Sequence, residues 1–103
     1  GLVSPALAAE LPRLQGLLAL ARGEDPEPQL RAAITSLEAF GLVPDRARTE
    51  HALAVWLLGQ GRPDEAESLA AAAAATYEQL GATAWLAELR RQVGSPVESG
   101  APA

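Results

Sequence analysis

The alternation of apolar and polar positions is clearest between residues 47 and 80. Apolar side chains recur there every three or four residues on both sides of a short polar stretch, residues 61–65. That spacing places them on one face of a helix. Gly61 can take the positive φ that ends a helix, and Pro63 suits the first turn of the next one. The segment therefore predicts two antiparallel helices joined by a tight turn. The stripe before the turn comprises Ala47, Glu50, Leu53, Ala54 and Leu57, and the stripe after it comprises Ala66, Leu69, Ala70, Ala73, Ala74 and Tyr77.

The first twenty-two residues also carry a helical pattern, although a proline interrupts it. Pro12 either kinks a helix that begins near Ser4 and Pro5, or stands in the first turn of a shorter helix ending at about Arg22. We favour the kinked helix, because serine followed by proline is a good cap and first-turn pair. Its apolar stripe comprises Leu7, Leu11, Leu14, Leu17, Leu18 and Ala21.

Two more helices, the second and the fifth, complete the predicted set of five. A second helix covers residues 29–40, the third begins near Pro44, the fourth covers residues 63–80, and a fifth covers residues 82–93. Residues 94–103 have the composition of a disordered tail. The buried set predicted for the second helix is Leu30, Ala33, Ile34, Leu37 and Phe40, and the fifth helix carries Trp85, Leu86 and Leu89.

The helices repeat with an offset of 40 residues. That offset aligns Gly41 with Gly81 and Arg22 with Arg62. The alternative is chance similarity between helices rich in alanine and leucine, but the turns align as well. Repetition at a fixed period is typical of solenoids. The sequence therefore predicts an all-α fold over residues 1–93, with antiparallel helical hairpins stacked as a short solenoid of four or five helices.

Residues 52–66 resemble a tetratricopeptide-type repeat. In that family small residues of two helices pack together near the turn, and the matching positions are Ala54, Gly61, Ala66 and Ala73. The large aromatic residue usual early in the first helix is absent, since Glu50 stands there, and the unit exceeds the usual length of about 34 residues. Both departures match the longer repeats of the MalT-like helical region of large bacterial regulators.

Residues 38–54 and 77–92 are similar to segments near the ends of the repeat region in large ATP-dependent LuxR-type activators. In such proteins the repeats sense a ligand or a partner, whereas separate domains hydrolyse ATP or bind DNA. The resemblance implies a non-enzymatic protein–protein interaction or effector-sensing module of a bacterial signalling or transcription regulator. Its partner would be a protein, a peptide or a neighbouring domain of the parent chain.

Composition and charge limit the kinds of protein to which the chain can belong. The chain has 103 residues, begins with glycine and lacks methionine, so we expect a piece of a longer protein. A net charge of −5 and the absence of lysine argue against nucleic-acid binding. The absence of cysteine excludes disulfides and thiolate metal sites. The longest apolar run, residues 69–75, is too short to span a bilayer. We expect a cytoplasmic protein that does not bind membranes.

The titratable and nucleophilic residues form no recognisable catalytic set. His51 is the single histidine and has no second ligand at helical spacing, so we expect a solvated groove residue and no metal. No serine has a base beside it. Residues 59–61 lack the lysine and the spacing of a phosphate-binding loop. We therefore expect neither an enzyme nor a cofactor.

The candidate binding surface follows from the resemblance, because the first helix of each tetratricopeptide unit lines the concave groove. The alternative is that these residues simply face solvent, and Trp56 and Trp85 are expected to pack between hairpins rather than to bind. The candidate groove residues are Arg48, His51, Val55 and Leu58 from the third helix, Glu88 and Arg91 from the fifth, and Leu11 and Gln15 from the first.

The two ends of the predicted array carry many apolar side chains. The first helix has too many leucines for contact with a single neighbour, and the fifth has no helix after it in the sequence. Burying such a face against a second copy would form a homodimer. An alternative function is thus a structural helical spacer that self-associates. The competing outcome is that both end helices fold back onto their neighbours.

Overall fold

Five helices account for the regular structure of the described residues. A computed structural model describes residues 5–94, with side chains from residue 11 onward. Within that range there are helices and no strands, which confirms the all-α prediction. The predicted tail lies outside the described residues, apart from Gly94. The helices are α1 (Pro5–Ala21), α2 (Glu27–Ala39), α3 (Val43–Gly59), α4 (Pro63–Leu80) and α5 (Thr83–Val93).

Local sequence signals explain where these helices begin and end. Gly61 and Gly81 have φ values of 75° and 69°, in the left-handed region that glycine enters without a Cβ clash. Beyond each of them the chain folds back, and the amide of Arg62 donates to the carbonyl of Leu57 at 3.0 Å. Prolines stand in the first turns of α2, α3 and α4. α1 begins at Pro5 and continues through Pro12, in agreement with the longer of the two predicted helices.

The core lies around α3, which packs against α2, α4 and α5. Small residues allow α3 and α4 to approach each other, and Ala66 and Ala73 are 1% and 0% exposed, as the repeat pattern predicts. Close helix contacts of this kind need side chains without bulk at the crossing. The buried side chains of the two main clusters are Leu30, Leu53, Ala54, Leu57 and Ala66, and Ala47, Ala73, Tyr77 and Leu89.

α1 packs on α2 with its small residues rather than with its leucines. Gly16 and Ala19 are buried. A Cβ on Gly16 would lie 2.5 Å from Cδ2 of Leu30, so the Leu30 side chain occupies the place of any larger residue. The apolar stripe predicted for the first helix is split as a result, and four of its members are exposed: Leu11, Leu14, Leu18 and Ala21. Phe40 was predicted to be buried, which is wrong, because it forms the C-cap of α2 and is 53% exposed.

The internal repeat has two registers. α1 and α3 each span 17 residues and begin at residues 5 and 43, an offset of 38. The second helices keep the predicted offset of 40, since Ala33 and Leu37 of α2 match Ala73 and Tyr77 of α4 as buried positions. Five residues separate α1 from α2 whereas three separate α3 from α4. α4 has 18 residues and α2 has 13, and this difference outweighs the longer first loop, so the second helices match at a larger offset than the first. The predicted alignment of the first helices is therefore wrong by two positions.

Candidate interaction surface

One side of α3 stays open although its neighbours cover the other three. Arg48, Ala52, Val55 and Gly59 follow one another at intervals of four, three and four residues, so they share one side of the helix. Each is half-buried or exposed. We call these four residues the open face. α5 borders it, because His51, one turn from Val55, contacts Gln92 of α5.

An aromatic and cationic contact lies at the border between the open face and α5. The guanidinium carbon of Arg48 lies 4.8 Å from the ring centroid of Trp85, within cation–π range. Trp85 in turn packs on Tyr77, with 5.7 Å between ring centroids. Burial raises the pKa of the Tyr77 hydroxyl, while a hydrogen bond from Arg48 acts in the opposite direction. Two helices therefore hold Arg48 in place beside a ring that remains 37% exposed.

His51 does not lie in a solvated groove, so the prediction from its isolated position in the sequence is wrong. Its side chain is 5% exposed, because α5 folds over it. Nδ1 lies 3.0 Å from the Tyr77 hydroxyl, and Nε2 lies 2.6 Å from Oε1 of Gln92. Since the amide oxygen can only accept, Nε2 carries a proton and Nδ1 accepts from the tyrosine. Burial lowers the pKa of His51, which favours this neutral form. The histidine connects α3, α4 and α5.

The other predicted groove residues are only partly brought together. Glu88 is half-buried and close enough to affect the pKa values of His51 and Tyr77. Arg91 is exposed in the last turn of α5. Leu58 packs against the core instead of lying open. Val55 keeps its predicted place on the open face. The structure thus gathers Arg48, Val55 and Glu88 near the border between α3 and α5.

The two groove residues predicted on the first helix lie elsewhere. Leu11 and Gln15 are exposed, but in the offset of 38 they correspond to Thr49 and Leu53 of α3. Both of those residues are buried and neither belongs to the open face. The shift of two positions in the repeat therefore removes Leu11 and Gln15 from the candidate surface.

A charged network joins the turn between α3 and α4 to the start of α2. Both nitrogens of the Arg62 fork donate to Glu27, at 2.8 and 2.9 Å, and Arg62 also donates to Glu65 at 2.6 Å. Arg31 completes the network on Glu27 at 2.8 Å. Arg62 and Arg31 together lower the pKa of Glu27 to about 2. Glu27 and Arg62 are 35 positions apart, so no local pattern in the sequence indicates that they pair.

Glu50 occupies the position of the missing aromatic residue and is 7% exposed. Its Oε1 lies 3.9 Å from Nε of Arg46, an ion pair too long for a hydrogen bond. Arg46 also lies 3.8 Å from Glu38 of α2. Burial raises the pKa of Glu50. Arg46 also donates to Thr76 of α4 at 3.3 Å, so Arg46 and Glu50 lie among α2, α3 and α4. Glu50 therefore belongs to helix packing and not to the candidate surface.

The described part of the chain offers neither a metal centre nor a membrane span. Among those residues no group of three or more histidine and acidic side chains could hold a metal ion. No helix within residues 5–94 combines the length and apolarity needed to cross a bilayer. No protein-family model, curated protein or solved structure matches the chain.

Proposed function

We propose that the chain is a non-enzymatic interaction module that binds a protein or peptide segment along the open face of α3. The observation that supports this most directly is the placement of Arg48. Among the described side chains it pairs with the Trp85 ring rather than with a carboxylate. A guanidinium held over a ring still has outward N–H donors for a partner.

The surroundings of Arg48 indicate what a partner should present. Ala52, Val55 and Gly59 continue the open face as a narrow strip without charge. Arginine binds carboxylates strongly when two N–H groups donate together. A fitting segment therefore carries a carboxylate beside small apolar side chains. Following the resemblance, we place the module in a cytoplasmic bacterial signalling or transcription regulator.

A selection experiment tests this function. A library of displayed random peptides is selected on the immobilised chain, and the enriched peptides are measured by fluorescence polarisation. We expect Arg48→Ala and Val55→Asp each to weaken binding at least tenfold, which corresponds to about 1.4 kcal/mol. Gln79→Ala, an exposed change on α4, serves as the matched control. The proposal fails if no peptide is enriched, or if all three variants bind alike.

A further inference from the structure

The outer side of α1 exposes a row of apolar side chains. Leu11, Leu14 and Leu18 follow one another at three and four residues and are 53%, 50% and 50% exposed. They lie away from α2, on which α1 packs through Gly16 and Ala19. Contiguous apolar surface of this kind marks a site of interaction in soluble proteins.

The second unit of the repeat shows what covers the same side of a helix. In the offset of 38, Gly16 and Ala19 match Ala54 and Leu57, which are buried in the core between α3 and its neighbours. Both first helices therefore present the same side to their own hairpin partner. The same offset of 38 residues matches each remaining side of α1 with the corresponding side of α3.

On α3, two of the three counterparts of the leucines lie on the side that packs against α2, whereas the counterpart of Leu14 is Ala52 of the open face. Leu11 and Leu18 match Thr49, which is 1% exposed, and Trp56, which packs on the cluster containing Leu30 of α2. Arg46 lies one turn before Thr49 on the same side and pairs with Glu38 of α2. Two leucines on α1 thus occupy positions whose counterparts on α3 are already a helix-binding surface.

We infer that the Leu11–Leu14–Leu18 side of α1 is a docking site for one amphipathic helix of a partner protein. The partner helix is of the α2 kind, with aliphatic side chains at intervals of four and three residues. In α2 that set is Leu30, Ile34 and Leu37. The inference is independent of the open face, which is on a different helix and calls for a carboxylate.

A graft supplies such a helix at high effective concentration. A second copy of residues 24–42 is fused to the amino side of residue 5 in the otherwise full chain, where it replaces residues 1–4. This fusion copies the native junction, in which residue 42 precedes the counterpart of residue 5. Helix content and melting temperature are measured by circular dichroism. We expect added helicity and a melting temperature higher by about 4 °C or more.

Two variants of the graft show whether the added helix occupies the inferred site. Leu30→Glu and Leu37→Glu, made together in the added copy alone, should abolish the gain. Leu18→Glu in α1 should abolish it as well, while hardly changing the melting temperature of the ungrafted chain, since Leu18 is half exposed. A graft without any gain, or a gain that persists with Leu18→Glu, would overturn the inference.

A second copy of the chain is the rival occupant. Sedimentation equilibrium of the ungrafted chain distinguishes a partner helix from a second copy as the occupant of this side of α1. A mass near 10.7 kDa at high micromolar concentration agrees with a face that is still free for a partner. A species of twice that mass that reverts to monomer with Leu14→Glu would assign the leucines to a homodimer and refute the inference.

Discussion

Replacing Gly16 by alanine has two opposing effects on stability, because it raises the helix propensity of α1 and overpacks the contact between α1 and α2. In an exposed helix interior the change from glycine to alanine stabilises by about 1 kcal/mol. In α1 the new methyl group would lie 2.5 Å from Cδ2, 2.7 Å from Cγ and 3.2 Å from the backbone nitrogen of Leu30. Ordinary contacts begin at 3.4 Å, so both the side chain and the backbone of Leu30 would have to move.

The surroundings of Leu30 decide which effect is larger. Leu30 is 0% exposed and belongs to a cluster with Leu53 and Leu57, so it has no free space to enter. Overpacking of this kind costs about 1–3 kcal/mol. We therefore expect Gly16→Ala to destabilise by about 1 kcal/mol after the gain in propensity is subtracted. For a domain of this size that lowers the melting temperature by about 4–8 °C.

Gly59 provides the matched control, because it is also helical and a Cβ there meets nothing within 4 Å. Gly59→Ala should leave the melting temperature unchanged or raise it slightly. Thermal unfolding followed by circular dichroism at 222 nm compares both variants with the parent chain. If Gly16→Ala melts at the parent temperature or above, α1 does not pack on α2 as described.

Three further predictions follow from the core and the charged groups. Burial holds the pKa of His51 below 6.5, and Arg48 and Glu88 are the neighbouring charges. The neutral form of His51 therefore contributes stability that is fully present above pH 6.5 and is lost as the pH falls below that value. Melting temperatures measured from about pH 8 to about pH 5 should therefore fall, and His51→Gln should flatten the change. Arg62→Ala should raise the pKa of Glu27 from about 2 towards 4.5, measured by NMR titration of its side-chain carboxyl. An unmoved titration would contradict the network. Ala73→Leu should overpack the contact of α3 with α4 and cost about 1–3 kcal/mol by urea denaturation, against an unchanged midpoint for the exposed Ala71→Leu.

Local signals in the sequence were sufficient for the helices and their ends. Helical periodicity, glycines able to take positive φ and first-turn prolines all act within a few residues, so the pattern around Gly61 and Pro63 could be interpreted without knowing the fold. Ala66 and Ala73 were also predictable, since two helices joined by a short turn must pack, and small residues mark where they touch.

Contacts between distant parts of the chain were decided by the tertiary structure. Leucines along α1 have the pattern of a buried stripe, yet Leu30 leaves room only for Gly16 on that side of the helix. His51 has no exceptional neighbours in the sequence, and only the placement of α5 buries it against Tyr77.

The same limit applies to charge and to the repeat register. Arg62 meets Glu27 across 35 positions, and periodicity along one helix carries no information about such a pair. Because α4 is longer than α2, the buried positions of the second helices match at an offset of 40, whereas the first helices match at an offset of 38. Periodicity determines which residues share a side of a helix, whereas the volume and charge of a remote neighbour determine which side is buried.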